Sequence, residues 1–430
     1  MSTPGDAERN TTMPHSSRSA ASVLRFSTAG SVDDGKSTLI GRLLHDTQQI
    51  HDDQLRAIAH ASSKRGSEDL DLSLLTDGLE AEREQGITID VAYRYFTTAQ
   101  RKYIIADTPG HRQYTRNMAT GASTADAALI LVDATRGLLE QGKRHLYIAH
   151  LLGIRHIAVA INKMDLVDYR RDVFASARAI VHDFARSLEG SAPTLTFVPV
   201  SALRGDMVVE RGERMTWHDG PTLLEWLESI EPAGETSSRP LRFPVQLVQR
   251  TQEGRTYLGR VASGTVVQGQ AVTVLPSGRR TRVKRIQRWP DACSAAFAGD
   301  SVALSLSDEL DVSRGDYIVD AERAPAAYRA LDATLVWLSS EPLVQRARYL
   351  LKHTSRTVAA RVVTLRHVVE VETLEKREPT AAVAANDIAN VELALQQPLF
   401  FDSYSADRAT GAFILIDEAT NQTVAAGMIA

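Results

Sequence analysis

With one cysteine in 430 residues, Cys293, the chain can form no internal disulfide and no cysteine-paired metal site. That usage suits a reducing compartment, and the lone thiol is expected to pack as a small buried hydrophobe. Long apolar runs are missing too: no stretch is long enough to span a bilayer, so no membrane partner is expected. The opening segment, MSTPGDAERNTTMPHSSRSA, lacks the apolar centre of a secretory signal. Residues 1–22 therefore read as a flexible tail on a cytoplasmic protein. Nor does one sign of charge dominate. Against 53 Asp and Glu stand 49 Lys and Arg, for a net charge of −4, without the broad basic surplus of a protein that tracks phosphate backbones. Charge thus argues, weakly, against nucleic acid as a partner.

What is present is an ordinary globular composition, 43% hydrophobic and 24% charged, in a chain too long for one core. Two or three domains are expected. Over residues 23–233 the runs LRFSTAG, YIIADT, AALILVDA, IAVAINK and LTFVPVSA alternate with amphipathic stretches, which predicts an α/β domain with a mostly parallel sheet and helices on both faces. In such sheets ligands bind beyond the carboxyl ends of the strands, so the polar loops after these runs should converge. The segment EPAGETSSRP reads as a linker. After it come short β-branched runs punctuated by glycine, among them FPVQLVQR, RVKRIQR and SVALSLS, then ATLVWLS, RTVAARVVTLRHVVEVETL and ANVELALQ. They predict two β-barrel domains, at residues 240–325 and 326–430.

The first loop, GSVDDGKST, runs Gly30, Ser31, Val32, Asp33, Asp34, Gly35, Lys36, Ser37, Thr38 and fits G-x-x-x-x-G-K-[ST] between a strand and a helical pattern. Its glycines permit a turn that aims backbone N–H groups at phosphates. Lys36 brings positive charge to the β/γ-phosphates, and Ser37 offers a hydroxyl to Mg²⁺. A second loop, DTPGH, follows YIIA and contributes Asp107, Thr108, Pro109, Gly110 and His111. Asp107 can hold Mg²⁺ through water, Gly110 can present its N–H to the γ-phosphate, and His111 can orient an attacking water. Between the two loops, EREQGITID places Thr88 as a further candidate metal ligand in a first switch, Glu82–Asp90. The residues after His111 predict a helix whose start moves with the γ-phosphate, a second switch.

Base choice is read from INKMD, that is Asn162, Lys163, Met164 and Asp165. The Asp165 carboxylate can accept from N1–H and the 2-amino group of guanine, which adenine does not offer. A site built around such hydrogen bonds rejects an analogue lacking them by up to roughly 10⁴- to 10⁵-fold. Ser201, Ala202 and Leu203 in VSAL can supply an N–H to the guanine O6. These loops together predict a GTP site with Lys36 and His111 as the catalytic pair.

With DTPGH, NKMD and two β-domains behind the GTPase domain, the chain resembles the translation-factor GTPases, to which elongation factor Tu belongs. The runs GSVDDGKSTLIGRLLHDT, DGLEAEREQGITIDVAYRYF, YIIADTPGHRQYTRNMATGAS, LLGIRHIAVAINKMDLVDY and FILIDEATNQTVAAGM are similar to the large, GTP-hydrolysing subunit family of bacterial sulfate adenylyltransferases. Asp34 stands where translation factors usually carry His, in agreement with that branch. Arg112, where an acidic residue is common, and Met207, usually Asn, depart from it. The resemblance implies that GTP hydrolysis here drives formation of adenosine 5′-phosphosulfate and pyrophosphate from ATP and sulfate on a small adenylyltransferase subunit, in a heterodimer. Some relatives of that family carry a fused adenylylsulfate kinase; this sequence ends after the barrel segments, so no kinase activity is expected. A ribosomal GTPase that delivers RNA or a factor, and a nucleotide-gated scaffold, are the competing expectations. For the first, the one basic run of the first barrel, RRTRVKRIQR, reads more simply as a solvated strand face.

Overall fold

The structure, a computed structural model, describes residues 23–50, 52–64, 70–75, 90–110, 115–190, 192–231, 238–251, 254–378 and 382–430. Six strands form the first sheet: β1 (Val23–Ala29), β2 (Ala92–Thr97), β3 (Lys102–Asp107), β4 (Ala127–Asp133), β5 (His156–Asn162) and β6 (Thr194–Pro199). Their spatial order is β2-β3-β1-β4-β5-β6, and all pairings are parallel except β2 with β3. Successive residues of a strand face opposite sides, so the burial of all of β4 requires cover on both faces. That is why AALILVD is apolar throughout. Edge strand β2 instead alternates: Tyr93 and Tyr95 are exposed, while Phe96 is buried and stacks on Tyr103 with centroids 4.4 Å apart.

The helices here are α1 (Lys36–Asp46), α2 (Asp52–Lys64), α3 (Thr115–Ser123), α4 (Glu140–Leu151), α5 (Arg171–Arg186) and α6 (Leu223–Ser229). The last opens with a capping box in which the Thr222 side chain accepts from Glu225 N and the Glu225 carboxylate accepts from Thr222 N. On α4, His145 is buried, and desolvation, helped by the charges of Lys36 and Arg144, pushes its pKa down to about 3. A base held neutral in this way stabilises the fold above its unfolded pKa of about 6.5. The contribution is lost as pH falls from there toward 3, at about 1.4 kcal/mol per pH unit. Unfolding midpoints of wild type measured between pH 7 and 5 should therefore fall more steeply than those of His145→Gln.

Beyond residue 240 the strands are β7 (Arg242–Thr251), β8 (Gly254–Arg260), β9 (Thr265–Val267), β10 (Ala271–Leu275), β11 (Arg279–Arg288), β12 (Asp291–Cys293), β13 (Ala295–Phe297), β14 (Ser301–Leu306) and β15 (Tyr317–Asp320). Six of them run β10-β15-β7-β8-β14-β11, and β11 pairs back onto β10, which closes a barrel. Along β11 Thr281, Val283 and Ile286 are buried, while Arg280, Arg282, Lys284 and Arg285 are exposed, the strand face expected of RRTRVKRIQR. Cys293, at the end of β12, is only half-buried rather than buried, because β12 is a three-residue appendage outside the closed ring.

A second barrel contains β16 (Ala327–Trp337), β17 (Arg348–His353), β18 (Arg356–Val369), β20 (Ile388–Phe400), β21 (Ala412–Asp417) and β22 (Thr423–Ile429), with β19 (Lys376–Arg377) appended to β18 and a short helix, α7 (Arg408–Gly411), before β21. Its order is β17-β21-β22-β16-β20-β18, closed by β18 on β17. The linker residues 232–237 lie outside the described residues.

The two barrels are pinned together by Arg242. Its Nε and one terminal nitrogen each lie 2.9 Å from an Asp402 carboxylate oxygen, and another donates to the carbonyls of Leu241 and Arg323. Arg242 is buried and Asp402 half-buried, so Arg242→Ala leaves a partly solvated carboxylate and two carbonyls without their donor and should cost about 2 kcal/mol in chemical denaturation of the full chain. The second barrel also packs on the GTPase domain, where Val336, Val369, Val371, Ile388 and Met428 join the apolar cluster of the parallel sheet. Tyr404 Oη donates to the Leu152 carbonyl at 2.9 Å, and Arg408 donates to those of Ser123 and Ala125.

Candidate functional site

The loops after β1, β3, β4, β5 and β6 meet at one end of the sheet. The first runs from Gly30 to the start of α1. Asp33 (φ 69°) and Gly35 (φ 86°) are left-handed, the second at a glycine as sterics favour. A Cβ on Gly35 would lie 2.5 Å from the Asn162 amide nitrogen, so the loop and β5 approach at a distance that only glycine allows. Ser31 N donates to Asp34 Oδ2 at 2.7 Å and Asp34 N to Ser31 O at 3.2 Å, which ties the turn to itself. Lys36 is buried at the head of α1, with Ser37 and Thr38 half-buried beside it and Val32 half-buried in the turn.

The Lys36 ammonium rests 2.6 Å from Asp107 Oδ1, and Thr28 Oγ1 donates to the same oxygen at 3.1 Å. Asp107 thus ends β3 directly beside the P-loop lysine. Thr108 donates through both N and Oγ1 to Thr28 O, and Pro109 is buried. Gly110 is so close to the first loop that a Cβ there would lie 2.4 Å from Gly30 O. Thr88, His111 and Arg112 lie outside the described residues, as do residues 82–89 of the first switch and the first residues of the second.

At the other half of the site, Asn162 donates to Asp34 O at 2.7 Å and accepts from Ala202 N at 3.0 Å, so one amide joins the phosphate loop to the VSAL loop. Ser201 Oγ donates to Asp165 Oδ1 at 2.6 Å, which holds the carboxylate in place. Met164 is buried beneath the turn and Leu203 is 42% exposed at its rim. Lys163 is left-handed, with its ammonium 2.8 Å from Asp133 Oδ2. The expected phosphate and base loops, as far as they are described, do converge.

Three contributors escaped the sequence reading. Arg42 on α1 donates to the carbonyls of Ala202 (3.2 Å) and Leu203 (2.6 Å) and so braces the VSAL loop. Asp133, at the end of β4, accepts from Thr135 N and Oγ1. Burial pushes its pKa up, but the Lys163 ammonium and the Thr135 donors outweigh this and hold it below the usual carboxylate range. Arg136 reaches into the phosphate loop, 3.0 Å from Val32 O and 2.9 Å from Asp34 Oδ1. Desolvation raises Asp34 to about 6 in spite of the Ser31 amide and the Arg136 charge.

Residues 21–233 match the elongation factor Tu GTP binding domain family, and residues 330–430 the GTP-eEF1A C-terminal domain-like family. Sulfate adenylyltransferase subunit 1 of Salmonella arizonae is 50% identical over 95% of this chain and 85% of its own length. The subunit 1 of Yersinia enterocolitica is 52% identical over the same shares. The chain belongs to the sulfate adenylyltransferase subunit 1 family. A solved structure of Sup35 complexed with GDP covers 98% of this chain and 97% of its own, with 23% identity and a TM-score of 0.44. As a member of the subunit 1 family the chain carries a GTP-binding domain followed by two barrels, the architecture expected from its motifs. Among the described residues no helix is long and apolar enough to cross a membrane, and no cluster of three His, Cys, Asp or Glu side chains forms a metal site.

Proposed function

We propose that this chain is the GTP-hydrolysing subunit of a sulfate adenylyltransferase, and that its hydrolysis of GTP drives the making of adenosine 5′-phosphosulfate and pyrophosphate from ATP and sulfate on a small partner subunit. The observation that carries the GTP site is the Asn162 bridge, which sets Asp165 and the Ala202 amide at a fixed place relative to the phosphate loop. Family membership carries the link to sulfate. The partner is a separate adenylyltransferase chain, paired with this one as a heterodimer in the cytoplasm.

In this reading Lys36 and the loop amides neutralise the β/γ-phosphates, and Gly110 N–H meets the γ-phosphate. The donors beside Lys36 are hard oxygens, Ser37 Oγ and Asp107, a set that fits Mg²⁺ arriving with the nucleotide; Thr88 is the proposed third. When bound, such an ion supplies further positive charge against the phosphate oxygens. His111 orients water for in-line attack. Asp165 accepts from the guanine edge, and the Ala202–Leu203 loop, held by Arg42, faces O6.

The test mixes this chain with a candidate small subunit, ATP and sulfate, and follows pyrophosphate and phosphate together, first with GTP and then with a non-hydrolysable analogue. Linked rise of both products, with sustained turnover lost on the analogue, is the expected outcome. GTP hydrolysis that proceeds at one slow rate whatever is added would overturn the coupling. Stimulation by ribosomes instead would favour the translational alternative.

A further inference from the structure

Asp34 is an awkward residue to find in a phosphate-binding loop. Its carboxylate is 3% exposed, lies just before Gly35 and Lys36, and brings a buried negative charge toward a site that takes a polyanion. A buried charge needs a partner, and the repulsion from several phosphate charges at short range makes that need greater once nucleotide arrives. The Ser31 amide satisfies one oxygen at 2.7 Å. The other is met by Arg136, whose guanidinium also donates to Val32 O at 3.0 Å and sets Nε 3.3 Å from Asp133 Oδ2.

Arg136 is aimed by its own turn. Asp133 collects Thr135 N at 2.8 Å and Thr135 Oγ1 at 2.6 Å, and the backbone amides of Arg136 and Gly137 close on Asp133 O, with Gly137 left-handed at φ 71°. The same Asp133 carboxylate holds the Lys163 ammonium at 2.8 Å. One guanidinium therefore spans from the phosphate loop to the carboxylate that anchors the base loop.

We infer that Arg136 is a positioning residue for guanine-nucleotide binding, neutralising Asp34 and clamping the Asp34 and Val32 positions of the phosphate loop so that the loop amides and Lys36 face the nucleotide phosphates. This deepens the proposed GTP site and rests on it. Arg136 acts through Asp34 and the loop, without touching the reacting atoms.

The test is equilibrium binding of a fluorescent GDP, together with steady-state GTP hydrolysis, for wild type, Arg136→Gln, Arg136→Ala, Asp34→Asn and the double variant Arg136→Gln/Asp34→Asn. Loss of Arg136 should weaken GDP on the order of tenfold, the change that about 1.4 kcal/mol produces, and raise KM for GTP more than it lowers kcat. Removing the charge of Asp34 in the same chain should restore most of the lost affinity, because the uncompensated carboxylate is then gone. A merely structural role for Arg136 gives no such rescue. GDP binding unchanged in both Arg136 variants would overturn the inference, as would a double variant no tighter than Arg136→Gln. Thermal melts of each variant separate misfolding from lost affinity, and Arg136→Lys, which keeps a positive charge but offers one nitrogen in place of the forked guanidinium that meets Asp34, Val32 and Asp133, should weaken GDP by an intermediate amount; an affinity equal to wild type in a folded Arg136→Lys chain would overturn the clamp even if the other Arg136 changes prevent folding. A wild-type chain that binds no guanine nucleotide would sink the GTP-site reading itself.

Discussion

Replacing Lys36 with alanine should lower kcat/KM for GTP by about 10³-fold, the scale seen when one pre-aimed group is removed from a site that stabilises developing charge. Two effects combine in that figure. The ammonium is buried at the head of α1, so its field on the phosphates is little screened by water. It also sits 2.6 Å from Asp107, a carboxylate only 1% exposed, and alanine would leave that oxygen facing the site without the Lys36 charge. Steady-state hydrolysis with GTP varied to high concentration gives both parameters, and a nucleotide-binding measurement on the same variant separates lost affinity from lost turnover. A variant within a few-fold of wild type would remove Lys36 from the proposed catalytic pair.

Asp165→Asn is expected to weaken GTP by on the order of 10²-fold, since an amide offers a donor where guanine presents two of its own and each unmet buried group costs about 1–3 kcal/mol. Selectivity reports this better than affinity does. Inosine triphosphate lacks the 2-amino group, so wild type should prefer GTP to it clearly and the variant should hardly distinguish them. Because Ser201 Oγ holds Asp165 Oδ1 at 2.6 Å, Ser201→Ala should move selectivity in the same direction by a smaller step. Competition of the two triphosphates against a fluorescent GDP reads all three proteins, and unaltered preference in Asp165→Asn would place the base elsewhere.

The parts of this site that could be read from sequence are contiguous runs at strand ends. GSVDDGKST, DTPG, NKMD and VSAL each keep their chemistry within a few residues, and the apolar run before each announces the strand that carries it. AALILVDA and IAVAINK became β4 and β5 because buried parallel strands are apolar on both faces, and LRFSTAG became β1, whose Leu24, Phe26 and Ala29 are buried. Short strands were harder: β12, β13 and β15 are three or four residues long, too brief for an alternation to stand out, and each is defined by partners distant from any local pattern, β11 for β12, β9 for β13, and β7 and β10 for β15. Arg136 and Arg42 left no local signal at all. Each is recruited by an acceptor distant in the chain, 102 residues away for Asp34 and 160 for Ala202, and a surface-type arginine on a turn or helix looks the same with or without it. Asp34 itself stood out as unusual in its loop, but only the fold shows what answers its charge.

The place of β22 in its barrel bears on how the protein is made. Strand Thr423–Ile429 lies between β16 and β21, paired with both, and Ala430 N reaches back to Asp332 O. A ribosome therefore has to deliver Thr423–Ile429 before this barrel can close, whereas the six strands of the first sheet are all present once Pro199 has emerged. Since domains tend to fold as units from the amino end during synthesis, the nucleotide loops can assemble well before the barrel that packs against them is whole. In that interval Val336, Val369 and Ile388 have no finished surface on which to present themselves, and the apolar face of the GTPase domain that awaits them is bare to water. The period of greatest exposure to aggregation is thus set by translation of β22, and a nonsense codon before Thr423 would leave the loops proposed to hold GTP attached to an open barrel.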